Sequence, residues 1–263
     1  MQLWHETSGT SGDGETVLLI HAGICDARMW ERQMETLGPA GRVVRCDLQG
    51  FGRTPAATED YVDATDLVEL IEGEGLDPVV LVGASMGGAV ALDIALGRPD
   101  LAAGLVLVAA SHPDQEWSAE MEAYGEREGE LLEAGDIEAA VELNLRTWVD
   151  GPFRSARDVD PELRAFVGTM QRRAFELQLE YPDAEGQELT PDPGQRLGEI
   201  AVSTLILVGD LDVPEMAGSA PRLAADIKGA TVATITGASH LPSLERPERF
   251  DELVLGFLAS LED

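Results

Sequence analysis

The sequence predicts an α/β fold: a mostly parallel central sheet flanked by helices, with a helical segment inserted ahead of the last two strands. Three observations carry this. Fully apolar runs such as Val17-Leu18-Leu19-Ile20 and Val79-Val80-Leu81-Val82 have the composition of strands covered on both faces. These runs alternate with helix-length amphipathic stretches, the order required by a parallel sheet with helical crossovers. The alternation stops over residues 112–200, where helical patterns follow one another without a buried strand, and resumes at residue 204.

Taken in order, the first strand (17–20) is entered from a Gly/Ser/Asp-rich turn at 8–14 and followed by a helix at 29–37 with apolar residues Trp30, Met34 and Leu37. Val43-Val44-Arg45-Cys46 is the second strand. The helix at 63–74 has Asp63 as its expected capping residue and Leu67, Val68, Leu70 and Ile71 as its apolar face. A strand at 79–82, a helix at 86–96 and a strand at 105–108 complete the first half. Within 112–200, helices are expected at 116–133, 137–149, 161–179 and about 194–200, interrupted by breakers such as Asp150-Gly151-Pro152 and Tyr181-Pro182-Asp183. Trp117, Trp148, Phe153, Phe166, Met170 and Phe175 are too many large apolar residues for a solvated spacer. The segment is therefore expected to fold as a helical cap on a core formed by 1–111 and 201–263. Strands at 204–208 and 231–235 and helices at 216–227 and 247–261 close the chain.

Composition narrows the partners. The 263 residues include 49 acidic and 18 basic side chains, a net charge of −31, which disfavours nucleic acid and anionic membrane surfaces. Lys228 is the one lysine, a bias read as Arg-for-Lys replacement in a GC-rich genome, with the acidity serving solubility, in preference to adaptation to salt. No apolar run approaches the roughly 20 residues of a membrane span. The amino-terminal Met1-Gln2-Leu3-Trp4-His5-Glu6 has neither a basic nor an apolar leader region, so a cytoplasmic location is expected. Cys25 and Cys46 lack metal-ligand spacing and are read as reduced packing residues. The oligomeric state is not legible.

Gly83-Ala84-Ser85-Met86-Gly87 is a G-x-S-x-G pattern lying directly between a strand and an Ala/Gly-rich helix. That setting is what a nucleophile elbow requires: the serine sits on a strained turn, and side chains two positions before and after it would collide. A serine hydroxyl needs an imidazole base held in one tautomer by a carboxylate. Of the four histidines, His240 follows the last strand in Gly237-Ala238-Ser239-His240, where a loop can reach over the carboxyl ends of the strands. The carboxylate is expected after the strand at 204–208, where Asp212 is preferred, Asp210 is the runner-up and Asp114 a remote third. There is no HExxH, no phosphate loop and no GxGxxG after a strand, so neither metal nor organic cofactor is expected.

These residues resemble the α/β-hydrolase family, most closely its small bacterial esterases, lactonases and perhydrolases, over the whole chain apart from the insertion. His21-Ala22-Gly23-Ile24, followed by Trp30, is similar to the family's His-Gly-x-x segment, with Ala22 where glycine is usual. The resemblance implies that the N–H groups of Gly23 and Met86 form an oxyanion hole and that His21 anchors that loop. Asp47-Leu48-Gln49-Gly50-Phe51-Gly52-Arg53-Thr54 resembles the family's Asp-x-x-Gly-x-Gly-x-Ser stretch and is assigned to turn building. Glu245-Arg246-Pro247-Glu248-Arg249-Phe250 resembles the entry to its last helix. The implied activity is cleavage of a small, largely uncharged ester, lactone or thioester through an acyl-serine, and the implied partner is that small molecule. The same triad also fits a carbon-carbon bond hydrolase or a perhydrolase, and the fold also serves non-catalytic binding proteins. Trp148, Phe153 and Met170 are expected to line an apolar acyl pocket under the cap.

Overall fold

A computed structural model describes residues 2–10, 14–76 and 78–261. Met1 and residues 11–13 of the expected 8–14 turn lie outside the described residues. Seven strands, β1 (His5–Ser8), β2 (Thr16–Ile20), β3 (Val43–Cys46), β4 (Val79–Ala84), β5 (Ala102–Val108), β6 (Thr204–Gly209) and β7 (Thr231–Ile235), form one sheet in the order β1-β3-β2-β4-β5-β6-β7. All neighbours are parallel except β1, which pairs antiparallel to β3. The short β1 was not expected: His5-Glu6-Thr7-Ser8 is polar and half exposed, as an edge strand permits.

The helices are α1 (Glu31–Leu37), α2 (Asp63–Gly73), α3 (Met86–Gly97), α4 (Ala119–Glu133), α5 (Ile137–Asn144), α6 (Pro161–Gln178), α7 (Pro193–Arg196), α8 (Pro214–Asp226), α9 (Pro242–Glu245) and α10 (Pro247–Leu261). Alternate residues of each strand feed opposite faces of the sheet. Leu18, Ile20, Leu81, Leu105 and Ile206 pack with Leu67 and Ile71 of α2, Leu92 of α3 and Leu223 of α8. Val17, Leu19, Val80, Val106 and Leu207 pack with Met34 and Leu37 of α1 and Phe250, Val254 and Leu258 of α10. This is why those strands read as uninterrupted apolar runs. Cys25 and Cys46 are free and buried.

Two local expectations need correction. Asp63 is the first residue of α2, not its cap; Val62 occupies the capping position and no side chain caps the helix. Burial and the neighbouring Asp66 push the Asp63 carboxyl up to about 7. The helix expected over 137–149 is α only to Asn144 and continues as one π-helical stretch, Leu145–Asp150.

Helices α4 to α6 stand between β5 and β6, and 112–200 contributes no strand to the sheet. Both ends of that segment pack on the sandwich. His112 Nε2 lies 3.0 Å from Asp226 of α8, while the Leu189 and Thr190 amides donate to Asp93 of α3, each at 2.7 Å. The order of the sheet matters for the site. From β2 the chain steps outward to β3 and then crosses back to β4, so the loops after β2 and β4 diverge around a crevice at the carboxyl ends of adjacent strands.

Candidate active site

Ser85 occupies that crevice. It has φ 50 and ψ −113, a conformation a non-glycine residue adopts only under constraint. The constraint is visible in its neighbours. A Cβ at Gly83 would stand 2.1 Å from the Gly87 carbonyl oxygen, and one at Gly87 would stand 2.5 Å from the Ile20 carbonyl oxygen. Only glycine lets α3 start this close to β4 and β2. The Ser85 amide donates to Val108 O at 2.8 Å and Gly88 N donates to Ser85 O at 2.8 Å, which pins the turn.

His240 follows β7. Its Nδ1 lies 3.0 and 3.2 Å from the two carboxylate oxygens of Asp212, whose side chain is fully buried. A carboxylate only accepts, so Nδ1 is the ring nitrogen that donates its proton to Asp212. Asp212 Oδ1 also accepts the Val213 N–H at 2.8 Å, which fixes the carboxylate plane. The exposed Asp210 instead accepts the Gly237 N–H at 2.6 Å and shapes the turn before the histidine. The other three histidines point elsewhere: His5 to Leu3 O, His112 to Asp226, and His21 to Ala22 O. His21 Nε2 also accepts the Leu48 N–H at 3.1 Å, and burial lowers its pKa, so this ring is a neutral tie between two loops.

Ser85, Met86, Gly23, Ile24 and His240 border one cavity of about 1020 Å³, roofed by residues of α4, α6 and the π-helical stretch. Among the described residues, no hydrogen bond takes up the Gly23 or Met86 amide and none joins Ser85 to His240. The Met86 side chain would lie 3.5 Å from a Cβ at Gly23, so the β2 loop and the start of α3 are in near contact. The Asp47 stretch builds a turn as expected: its carboxylate accepts the Ala27 and Arg53 amides, each at 2.8 Å, and Gly50 and Gly52 have positive φ.

Of the three residues expected to line the pocket, only Trp148 does. Its ring centroid lies 4.5 Å from that of His240, and its Nε1 donates to Tyr124 Oη at 2.9 Å. Phe153 is 65% exposed, two residues past Gly151 at φ 72, and does not line the cavity. Met170 is fully buried in the core cluster that also holds Val141, Leu145 and Val167, and does not line the cavity. The cavity is not an apolar pocket either. Gln49, Glu128, Asn144, Gln171, Gln178 and Asp183 share its wall with Phe51, Leu132, Trp148 and Phe175, and no lysine or arginine lines it.

Sequence reasoning missed three features. Asn144 Oδ1 lies 2.8 Å from Tyr124 Oη, and Asn144 Nδ2 donates to Glu128, so α4 and α5 hold Trp148 from behind. The buried Glu245, just past the histidine loop, accepts the amides of Ser239 and Leu241 at 2.8 and 3.4 Å, and Arg154 Nη2 lies 2.7 Å from its other oxygen. Burial pushes the Glu245 carboxyl up. Gln171 leaves a buried amide oxygen facing no partner. The signal for Tyr124 and Glu128 is an i, i+4 pair on one helix face; the other two depend on contacts across the fold.

A model described as the alpha/beta hydrolase family matches residues 17–253, and the chain belongs to that family of hydrolases. It is 32% identical to a 2-hydroxy-6-oxononadienedioate/2-hydroxy-6-oxononatrienedioate hydrolase of Klebsiella pneumoniae, over 94% of this chain and 88% of that one. It is 29% identical to a 2-hydroxy-6-oxo-6-phenylhexa-2,4-dienoate hydrolase of Burkholderia cepacia, over 95% of this chain and 90% of that one. Among solved structures, a thermophilic esterase from Thermogutta terrifontis superposes with a TM-score of 0.79 at 28% identity, covering 99% of this chain and 94% of that one. Among the described residues no helix is long and apolar enough to cross a membrane.

Proposed function

We propose that the chain is a serine hydrolase that cleaves small, largely uncharged carboxylic esters, including lactones and thioesters, through an acyl-serine. The observation that carries this reading is a strained Ser85 and an Asp212-bound His240 on the wall of one cavity. His240 Nε2 takes the Ser85 Oγ proton as that oxygen attacks the acyl carbon, and returns it to the departing alkoxide. The imidazolium formed between these steps is stabilised by the Asp212 carboxylate against its Nδ1. The Gly23 and Met86 amides, uncommitted among the described residues, meet the oxyanion of the tetrahedral intermediate, a contribution of roughly 3 kcal/mol per donor. Water, deprotonated by the same Nε2, then releases the acid. Helices α4 to α6 act as the cap, excluding bulk water and presenting Trp148 to the imidazole.

Charge favours an ester over the kind of substrate named for the Klebsiella relative. A dienedioate carries two carboxylates, whereas this cavity presents Glu128, Glu133 and Asp183 and no lysine or arginine. A dianion would enter against that field. The test is stoichiometric labelling of Ser85 by a fluorophosphonate together with turnover of p-nitrophenyl acetate. Ser85→Ala is expected to lose both while keeping the thermal transition of the parent. Undiminished ester turnover in Ser85→Ala would overturn the assignment, and tight small-molecule binding without labelling would point to a non-catalytic binding protein.

A further inference from the structure

Trp148 is joined on one side to His240 and on the other to a carboxylate. Its ring centroid lies 4.5 Å from that of the imidazole, with 41° between the planes. That separation is the short end of the range for aromatic pairs and too small for two rings meeting edge to edge, so the imidazole overlaps the indole face. On the far side Nε1 donates to Tyr124 Oη at 2.9 Å. Tyr124 has one proton to give, and its Oη stands 2.8 Å from Asn144 Oδ1 and 3.1 Å from Glu128 Oε1. Asn144 Nδ2 donates to that same Glu128 oxygen.

The N–H and O–H protons of this chain therefore all point away from the imidazole and towards Glu128. Burial, and after it the Glu128 charge, pushes the Tyr124 phenol up, so it stays protonated and keeps donating. Hydrogen bonds aligned in one direction polarise one another, here towards a more electron-rich indole. A ring face attracts a cation, and that of tryptophan most strongly. The neutral imidazole gains little from such a face and the imidazolium gains more, which is the differential that accelerates a step. The other charged groups around the histidine are already engaged: Asp212 with Nδ1, Asp210 with the Gly237 amide, and Glu245 with Arg154 and the amides of Ser239 and Leu241. No lysine or arginine lines the cavity. Trp148 owes its place to the π-helical stretch Leu145–Asp150, a wide turn of the kind that gathers at functional sites.

Resting on the hydrolase reading above, we propose that Trp148 is a positioning residue that acts through His240: backed by Tyr124, Asn144 and Glu128, its ring face stabilises the imidazolium formed as Ser85 attacks more than the neutral ring that precedes it.

The test is the pH profile of kcat/KM for p-nitrophenyl acetate between about pH 5 and 8. Trp148→Leu keeps an apolar cover over the imidazole but has no ring face, Trp148→Phe keeps a weaker face without the Nε1 donor, and Tyr124→Phe keeps the indole but removes the acceptor of its N–H. In Trp148→Leu the acid limb is expected to move to lower pH by about 0.5–1 unit and the plateau to fall about three- to tenfold. Trp148→Phe and Tyr124→Phe are expected to lie between this variant and the parent, and they carry the test if Trp148→Leu does not fold. The rate of Ser85 labelling by a fluorophosphonate, which needs the same base, should shift with the same limb. An acid limb that stays in place or moves to higher pH overturns the proposal whatever happens to the plateau, because a residue that only fills space alters KM or Tm without making the imidazole a weaker base. NMR titration of the His240 ring in Ser85→Ala, with and without Trp148→Leu, reads the same shift without turnover. Absence of any ester cleavage would count against the hydrolase reading, while the NMR shift would still decide the role of Trp148.

Discussion

Asp210 and Asp212 sit two residues apart on one loop and differ in what surrounds them. Asp212 is enclosed and faces a ring nitrogen, whereas Asp210 is exposed and closes a backbone turn. Exchanging Asp212 for an amide keeps the shape but offers Nδ1 the choice of the wrong tautomer. Asp212→Asn is accordingly expected to lower kcat/KM by about 10³–10⁴-fold, the scale known for this kind of exchange. Asp210→Asn retains an acceptor for Gly237 and is expected to lose less than about tenfold. Steady-state kinetics on one p-nitrophenyl ester separates them, and the reverse order would exchange their roles. At this scale the sequence was informative where chemistry demands local spacing: Ser85 is bracketed by Gly83 and Gly87, and His240 follows a strand. It was silent on Gln171 and Phe153. Whether a residue of an inserted helix faces cavity, core or solvent depends on how that helix docks, and neighbouring Met170 and Gln171 have opposite fates.

Strands β2 to β6 were legible because runs buried on both faces admit little else, and β1 was missed because a polar edge strand has no such run. The 112–200 segment was legible as helices, but of its three expected lining residues only Trp148 reaches the cavity, since which side chains do so depends on how those helices dock. Arg154 donates to Val149 O at 2.7 Å and Asp150 O at 3.0 Å, closing the π-helical stretch that carries Trp148, and pairs with Glu245, which holds the amides around His240. One ion pair thus ties the 112–200 segment to the loop that carries His240. Removing one partner strands the other: Arg154→Met leaves a buried carboxylate whose pKa is already raised by desolvation. The expected cost is about 3 kcal/mol, or roughly 6–12 °C in Tm. Combining Arg154→Met with Glu245→Gln is expected to recover part of that stability without recovering kcat, because the stranded charge is gone but the loop remains untied. A double variant no more stable than Arg154→Met would show that the pair acts by packing.

On the scale of the whole molecule, −31 charges on 263 residues act on both stability and selectivity. The arginines are largely committed locally: Arg45 pairs with Glu6 and Glu31, Arg98 with Glu72 and Asp100, and Arg164 with Glu142 and Asp150. These pairs offset their immediate neighbours and leave the excess of carboxylates to repel one another across the surface. The same field reaches the cavity mouth, where Glu133 and Asp183 stand. Salt shortens the screening length from about 10 Å at 0.1 M to about 3 Å at 1 M, so it weakens repulsion between separated charges more than contact pairs. Raising NaCl from about 0.1 to 1 M is therefore expected to raise Tm. Over the same range kcat/KM for a p-nitrophenyl adipate monoester should rise relative to the uncharged hexanoate ester. Sorbitol at matched osmolality raises Tm by exclusion from the surface but screens no charge, so it should leave the ester ratio unchanged, which separates screening at the site from general exclusion effects. A Tm that is flat or falls with NaCl would mean that the acidic surface is already balanced within the fold, and a constant ester ratio would mean that its field ends short of the site.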